Sequence, residues 1–140
     1  MIISVIMMDI QNYLTKHEGL KLKPYRCTSG RLTIGVGRNL DDKGITEAEA
    51  LYLLENDINE CLDDLYTIFP NWISISPNRR LVLVDMRFQL GATGFRGFKR
   101  LIQAIRTGDI EKAIQSIKGS LYYKQVPDRA SDNINLLREG

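Results

Sequence analysis

The amino-acid sequence predicts a mostly helical α+β protein built as a single domain of residues 1–140. Apolar residues recur at steps of three or four along most of the chain, which is typical of helices packed on a core. One segment, residues 20–36, instead carries β-branched residues around a glycine turn, which indicates a small sheet. A length of 140 residues with 44% hydrophobic residues suits one domain with a packed interior.

The first helix is predicted over residues 8–18, where Ile10, Tyr13 and Leu14 share one face. Gly19 stands where a left-handed C-terminal cap belongs. Residues 1–7 precede this pattern and could be an N-terminal extension. The segment that follows the helix is interpreted as a hairpin or a three-stranded sheet, and both remain open.

A long helix is predicted to begin after Thr46, because Glu49 completes a Thr-x-x-Glu capping box with it. Pro70 ends this helix. Its apolar stripe has no break and indicates a face packed on the core, Cys61 included. The stripe consists of Leu51, Leu54, Ile58, Cys61, Leu65 and Ile68.

Further helices are predicted in the second half of the chain. Ser76 and Pro77 form a helix start, although the run at 81–84 could also be a strand. Gly91 at the end of that segment favours a helix over 81–90 that is buried on most sides. Shorter helices are expected over 98–107, closed by Gly108, over 110–118, capped by Asp109, and from Pro127 to the C-terminus.

Composition excludes several classes of function. The net charge is only +2 and the densest cationic cluster, residues 96–100, holds three cations, so no nucleic-acid partner is expected. The most apolar stretch, Met1–Met8, is far too short for a membrane helix or a signal peptide, so we expect synthesis in a cytoplasm without stable membrane insertion. Two cysteines and the single His17 provide no metal-ligand pattern, so neither a metal nor a cofactor is expected.

Glu18, Cys27 and Thr33 are the residues most suited to chemistry. Glu18 closes a predicted helix, and Cys27 and Thr33 flank the turn of the hairpin that follows at once. Both side chains can therefore face the helix end that carries the carboxylate. The sequence predicts a cleft between the helix and the sheet that these three residues line.

The stretch EGLKLKPYRCTSGRLTIGVG, residues 18–37, resembles the phage-type lysozymes, a family of glycoside hydrolases. Their signature is a glutamate, eight residues, aspartate or cysteine, five residues and a threonine, and every fixed letter is present here. Similarity continues through residues 79–98 and 122–130, and covers the chain from about Met8 to Gly140. The resemblance implies a lysozyme-like fold, with a small antiparallel sheet lobe at 19–45 and a helical lobe at 77–140 joined by the long helix.

The resemblance also implies roles for single residues. Glu18 matches the general acid, Thr33 the residue that holds the attacking water, and Arg129 an arginine that pairs with the acid. The C-terminal end of a helix dipole would raise the pKa of Glu18, because it disfavours a negative charge. Arg129 would oppose that rise, so the direction in which the pKa of Glu18 shifts stays open. Arg38 replaces a histidine of a relative, so an ion pair there could be absent or rebuilt. The expected contacts to the sugar are Asn39, Phe88, Gln89 and Ser116.

Cys27 occupies the second catalytic position, where the best-known members have aspartate. An ordinary thiol is only a few per cent ionised at neutral pH, and Lys21, Lys23 and Arg26 are near enough in sequence to favour the thiolate. Three roles remain open: a base that activates water with inversion, which we prefer, a nucleophile that gives retention, or a packing residue. A disulfide with Cys61 is not expected in a reducing cytoplasm.

The function expected from the resemblance is that of an endolysin, a muramidase that lyses a bacterial host from within. It would cleave the β-1,4 bond between N-acetylmuramic acid and N-acetylglucosamine in peptidoglycan, as a monomer released to the wall through a holin pore. Two alternatives are a catalytically inactive peptidoglycan-binding module and a lysozyme carried on the virion. The lack of flanking sequence is taken as an argument against the virion role.

Overall fold

Within residues 2–140, which the computed structural model describes with side chains from residue 4 onward, the chain forms seven α-helices and three β-strands. The chain divides into two compact units, Met1–Leu51 and Tyr52–Gly140, and the boundary falls inside a long helix. The elements are α1 (Ile2–Glu18), β1 (Lys21–Arg26), β2 (Leu32–Gly35), β3 (Arg38–Asn39), α2 (Glu47–Ile68), α3 (Pro77–Arg96), α4 (Lys99–Thr107), α5 (Ile110–Lys118), α6 (Leu121–Gln125) and α7 (Pro127–Glu139). A short 3₁₀ turn, Trp72–Ser74, precedes α3. The mostly helical α+β class predicted from the sequence is confirmed.

The first helix ends where the sequence predicts. Gly19 follows Glu18 with a φ of 78°, and its N–H donates to the carbonyl of Thr15 at 2.8 Å. This left-handed turn closes the helix and lets the chain enter the sheet within two residues. The helix begins at Ile2, six residues before the predicted start, so residues 2–7 continue α1, while residue 1 lies outside the described residues.

The sheet has three antiparallel strands in the order β1-β2-β3, so the three-stranded alternative is the one observed. Tyr25 pairs with Thr33, and Arg26 with Leu32. The tight turn between them is closed by the Cys27 N–H, which donates to the carbonyl of Arg31 at 3.0 Å. This register decides which side chains share a face of the sheet, since the side-chain period is two.

The capping box of α2 forms as predicted. The Thr46 N–H donates to Glu49 Oε1 at 2.9 Å, and the Glu49 N–H donates to Thr46 Oγ1 at 3.1 Å. Two of the free N–H groups at the helix start are thereby satisfied. The helix ends at Ile68, two residues before Pro70.

The hydrophobic core described by the structure lies in the second unit, Tyr52–Gly140. The apolar stripe of α2 is buried only in its second half: Cys61, Leu65 and Ile68 are buried as predicted, whereas Leu51 and Leu54 are exposed, so the prediction of a stripe packed on the core along its full length is wrong. The largest fully buried side chains come from α2, α3, α4, α5, α7 and the connection after α2. They are Leu65, Phe69, Val82, Leu83, Met86, Phe95, Leu101, Ile114, Ile117 and Leu137.

Capping residues of the second unit also agree with the sequence. Ser76 accepts from the Arg79 N–H and Asp109 accepts from the Lys112 N–H, so both act as N-caps. Gly108 closes α4 with a φ of 77°. These caps set the starts and ends of α3, α4 and α5 within one residue of the prediction, apart from the end of α3.

Two features of this unit differ from the prediction. The helical segment that begins at Pro77 extends to Arg96, but Gly91 (φ 76°, ψ 173°) breaks it into two parts. Leu81 and Phe88 are exposed, so the first part buries one side only. The five-residue helix α6 was not predicted, because a segment this short shows no helical period.

The helices of residues 2–140 bear on the expectation that the chain does not insert stably into a membrane. None of them has both the length and the apolar character that crossing a bilayer requires.

Candidate active site

Glu18 lies at the last position of α1, against the turn between β2 and β3. A Cβ atom placed on Gly37 would lie 2.8 Å from Glu18 Oε2 and 3.2 Å from its Cδ. Real Cβ atoms do not approach other atoms that closely, so a side chain at Gly37 would displace the carboxylate. Gly37 also has a φ of 64°, which favours glycine for a second reason. The backbone of the turn therefore forms one wall of the Glu18 carboxylate site.

Cys27 lies at the start of the β1–β2 turn and is partly accessible. Its Sγ lies 3.1 Å from Ser29 Oγ. Hydrogen bonds from the Ser29 hydroxyl, and then from the Ser29 and Arg31 backbone, lower the pKa of the Cys27 thiol to about 7. These donors stabilise the thiolate over the thiol, so the thiolate is well populated at neutral pH.

The neighbouring cations were expected to favour the thiolate, and the structure assigns that effect to the turn instead. Hydrogen-bond donors of Ser29 and Arg31 are the main groups that lower the pKa of Cys27. Arg26 directs its guanidinium to the carbonyl of Gly30 at 3.1 Å and lies 3.7 Å from Asp41. Sequence proximity was therefore a poor guide, because the turn geometry decides which groups reach the sulfur.

Thr33 is buried, with 3% of its surface exposed. Its hydroxyl donates to the carbonyl of Arg31 at 2.9 Å and is also close enough to Cys27 to lower its pKa slightly. Thr33 pairs with Tyr25, and Cys27 follows Tyr25 by two residues, so both polar side chains belong to the same face. The structure thus brings Cys27 and Thr33 together, as the sequence predicts, in the unit that also carries Glu18.

Arg38 stands where the sequence left open whether an ion pair is absent or rebuilt. The structure shows an ion pair there, between Arg38 and Glu49. Its guanidinium donates to both carboxylate oxygens of Glu49, at 2.8 and 2.6 Å. This contact, with the capping bonds of Thr46, lowers the pKa of Glu49 to about 2. Glu49 therefore ties β3 to the start of α2, while Arg38 also donates to the carbonyl of Gly44 at 3.2 Å.

Asn39, a predicted sugar contact, folds its amide onto the loop that follows. Asn39 Nδ2 donates to Asp42 Oδ2 at 2.9 Å, and Asn39 Oδ1 accepts from the Asp42 N–H at 3.0 Å. An amide retains one further hydrogen and one further lone pair after these bonds. Its role toward sugar stays a prediction.

The other predicted contacts belong to the second unit. Phe88 is 44% exposed and Gln89 beside it is exposed, both on α3. Ser116 on α5 is partly buried and donates to the carbonyl of Ala113 at 2.8 Å. These side chains are available to a ligand, and their assignment to glycan stays a prediction.

Arg129 forms an ion pair with Asp85 inside the second unit. Its Nε donates to both carboxylate oxygens of Asp85, at 3.1 and 3.0 Å, and Asn133 Nδ2 donates to Asp85 Oδ2 at 2.9 Å. Burial alone would raise the pKa of Asp85, but these hydrogen bonds outweigh it and hold that pKa below its usual range. The predicted pairing of Arg129 with Glu18 joins residues of different units and stays a prediction.

Three residues of these surroundings were not singled out from the sequence: Ser29, Gly37 and Asp85. For Gly37 a signal existed, since a glycine next to a strand often marks close approach of another group to the backbone. Ser29 and Asp85 gave no usable signal, because their importance comes from contacts that only the fold creates.

Comparison with known proteins places the chain in a family. Residues 15–127 match the phage lysozyme family. The chain is 30% identical to the pre-baseplate central spike protein Gp5 of Enterobacteria phage T4, over 89% of this chain and 26% of Gp5. It thus spans about a quarter of that relative's length.

Two further relatives are matched over larger shares of their own length. The probable T4-type lysozyme 1 of Dictyostelium discoideum is 27% identical, over 94% of this chain and 95% of the relative. The endolysin of Acyrthosiphon pisum secondary endosymbiont phage 1 is 30% identical, over 71% and 68% of the two chains. The matched region contains Glu18, Cys27 and Thr33, and the chain belongs to the phage lysozyme family.

Proposed function

We propose that the protein is a muramidase that hydrolyses the β-1,4 bond between N-acetylmuramic acid and N-acetylglucosamine in peptidoglycan. Membership of a lysozyme family supports glycoside hydrolase activity and a peptidoglycan substrate. The observation that carries the proposal is the thiol of Cys27, whose pKa is lowered to about 7 beside the Thr33 hydroxyl. A group poised near neutral pH suits general base catalysis.

Glu18 acts as the general acid and transfers its proton to the glycosidic oxygen as the C–O bond breaks. On the opposite face, a water attacks the anomeric carbon and gives its proton to the Cys27 thiolate. Thr33 Oγ1 accepts a hydrogen bond from that water, since its own hydrogen is donated to Arg31. The water gives its hydroxyl to the anomeric carbon and its proton to Cys27, while the proton of Glu18 goes to the leaving sugar oxygen. The anomeric configuration therefore inverts.

A second reaction course uses the same residues. Cys27 Sγ would attack the anomeric carbon, form a thioglycosyl intermediate, and release it to water with net retention. We prefer inversion because the hydroxyl of Thr33 lies beside the thiol, where it can hold a water. Asn39, Phe88, Gln89 and Ser116 contact the glycan, and Arg129 supports Glu18.

The biological role we propose is lysis of a bacterial host by an endolysin, which acts as a monomer after a holin opens the inner membrane. The similarity to an endolysin supports this role. The similarity to a central spike protein favours, as a second candidate, a lysozyme carried on the virion. Analysis of purified virions for the chain separates the two roles.

The test compares wild type with Glu18→Gln and Cys27→Ala in the clearing of purified peptidoglycan. Each substitution should lower the initial rate by about a hundredfold or more, which is the low end of an acid or base contribution. Lys118→Gln, an exposed change on α5, serves as the control and should retain the wild-type rate. Proton NMR of the first product should show the inverted anomer.

The opposite results would each remove one part of the proposal. A wild-type protein that pellets with peptidoglycan but never cleaves it would be a binding module, and the enzymatic function would be wrong. Full activity of Cys27→Ala would show that Cys27 only fills space in the turn and takes no part in catalysis.

A further inference from the structure

Asn39 lies on the same face of the sheet as two residues of the candidate site. Strands β2 and β3 pair so that Asn39 is directly opposite Thr33. Residues directly opposite each other in an antiparallel pair place their side chains side by side on one face. Thr33 shares that face with Cys27. The Asn39 amide is therefore next to the place where the proposed reaction holds its water.

The Asn39 amide has one favourable orientation. Its Nδ2 donates to Asp42 Oδ2 at 2.9 Å, and its Oδ1 accepts from the Asp42 N–H at 3.0 Å. A rotation of the amide by 180° would put its oxygen against the carboxylate and its NH₂ group against the backbone N–H, and both contacts would be repulsive. Asp42 thus decides which end of the amide donates to a ligand and which end accepts from it.

The carboxylate of Asp42 is itself held from its other side. Its Oδ1 accepts from Arg31 Nη1 at 2.9 Å, which leaves Oδ2 to face Asn39. The side chains of Arg31 and Asp42 are 52% and 56% exposed, so the ion pair contributes little to stability. Its effect is geometric, because it fixes the direction of the carboxylate that orients the amide.

The neighbouring carboxylate, Asp41, holds the backbone of the turn instead. Its Oδ2 accepts from the Leu32 N–H at 2.7 Å, and the Leu40 N–H donates to the carbonyl of Leu32 at 2.7 Å. Neither of these bonds involves the Asn39 amide. The two adjacent carboxylates therefore have separable tasks, Asp41 toward the turn and Asp42 toward the amide.

We propose that Asp42 is a positioning residue of the candidate active site, which fixes the Asn39 amide in the orientation that meets the sugar beside Thr33. The inference rests on the glycan of peptidoglycan being the substrate. After its two bonds to Asp42 the amide keeps one hydrogen and one lone pair, and it offers both in a fixed geometry. A sugar then binds without the entropic cost of ordering that side chain.

The test measures the Kd of a soluble tetrasaccharide of alternating N-acetylglucosamine and N-acetylmuramic acid by calorimetry, in Glu18→Gln protein so that cleavage does not interfere. Asn39→Ala should raise the Kd about tenfold, because two hydrogen bonds to the sugar are lost, and Asp42→Ala should raise it about fivefold. The double variant should bind no more weakly than Asn39→Ala alone, because Asp42 acts only through that amide.

Asp41→Ala is the matched control. It removes the adjacent carboxylate and a backbone hydrogen bond from the same loop, yet leaves both contacts between Asn39 and Asp42 in place. Its Kd should stay within about twofold of the parent protein. With Glu18 intact, Asp42→Ala should raise KM about fivefold and leave kcat within about twofold, which is the signature of lost binding and not of a disrupted fold.

Three results would overturn the inference. An unchanged Kd in Asp42→Ala would remove it directly, and additive losses in the double variant would show that Asp42 acts independently of Asn39. Equal weakening by Asp41→Ala would attribute the effect to loss of the loop.

The same titration separates this inference from the proposed function. A protein that binds the tetrasaccharide and shows the expected non-additivity, but never cleaves peptidoglycan, keeps the role of Asp42 and loses the enzymatic function. A protein that cleaves peptidoglycan with additive losses keeps the function and loses the role of Asp42. Absence of binding by the parent protein would overturn both.

Discussion

The turn from Cys27 to Arg31 surrounds one sulfur atom with hydrogen-bond donors. The spacing of Glu18, Cys27 and Thr33 predicts a shared site, and the structure places Cys27 beside Thr33 in the unit that also carries Glu18. The state of the thiol could not be predicted. It depends on the 3.1 Å contact with Ser29, which follows from the turn conformation and not from the residue types alone.

The first expectation concerns pH. In the pH range where Glu18 still carries the proton that it donates, the rate should rise with pH in proportion to the Cys27 thiolate, which is about one tenth populated at pH 6 and half populated near pH 7. Cys27→Asp should move this rise below pH 5, because an aspartate ionises near 3.9. Ser29→Ala should move it upward, since it removes the main donor that stabilises the thiolate. Initial rates of peptidoglycan clearing from pH 4.5 to 8 provide the measurement.

A flat profile in the wild type, together with resistance to iodoacetamide, would contradict a catalytic thiolate. Cys27→Asp and Ser29→Ala are compared because they should shift the rising part of the pH–rate profile in opposite directions. A loss of stability would shift neither.

The second expectation concerns Gly37. A methyl group at this position would displace the Glu18 carboxylate, so Gly37→Ala should lower kcat by about tenfold or more while KM changes little. Gly35 provides a matched control, because it too has a positive φ (69°) but open space around its Cβ position. Gly35→Ala carries similar backbone strain without the contact and should retain most of the rate. Similar losses in both variants would attribute the effect to strain alone.

Helices α3 and α7 are joined by a polar contact as well as by apolar packing. Asp85 of α3 accepts from Arg129 and Asn133 of α7, and Asn133 Nδ2 also donates to the Tyr122 hydroxyl at 2.9 Å. Caps and apolar periodicity were enough to predict both helices. They could not predict this contact, because a pairing between residues 85 and 129 depends on how the helices pack.

Removing the charge of Asp85 should weaken this unit. Asp85→Asn should lower the free energy of unfolding by about 1–2 kcal/mol at pH 7, a value reduced by partial exposure of the pair. Because the folded pKa of Asp85 is lowered, its contribution is present above the ordinary value near 3.9 and is lost as pH falls through the folded value. The difference between variant and wild type should therefore shrink below pH 4 in urea denaturation.

Asp63→Asn is the control for this substitution. It removes one exposed carboxylate from α2 and should change the free energy of unfolding by less than about 0.5 kcal/mol. A difference for Asp85→Asn that persists unchanged at pH 2.5 would mean that the carboxylate charge is not what stabilises the helix pair.

On the scale of the whole molecule, burial is distributed very unevenly along the chain. Among residues 4–51, Thr33 is the only buried side chain, whereas the core cluster is drawn from residues 65–137. The fold class was predictable because helical period and caps are local signals. The uneven burial could not be predicted, because the apolar stripes of α1 and of the core helices look alike in the sequence.

Hydrogen exchange should report the imbalance directly. We expect amides of the β1–β2 pairing to exchange by local opening, at least about a hundredfold faster than the amides of residues 113–117 in α5. Dilute urea should accelerate exchange in α5, because those amides open only on unfolding of the core, and should affect the sheet little. Equal protection in both regions would show that the sheet opens only with the core.

The contrast between the two cysteines has a practical consequence for chemical labelling. Cys27 is accessible and substantially ionised at neutral pH, while Cys61 is buried and burial raises its thiol pKa. A maleimide dye at pH 7 would therefore attach at one position without any engineered cysteine. That position is Cys27 in the hairpin turn beside Thr33. A fluorescent reporter can therefore be attached at the candidate site of the unaltered chain.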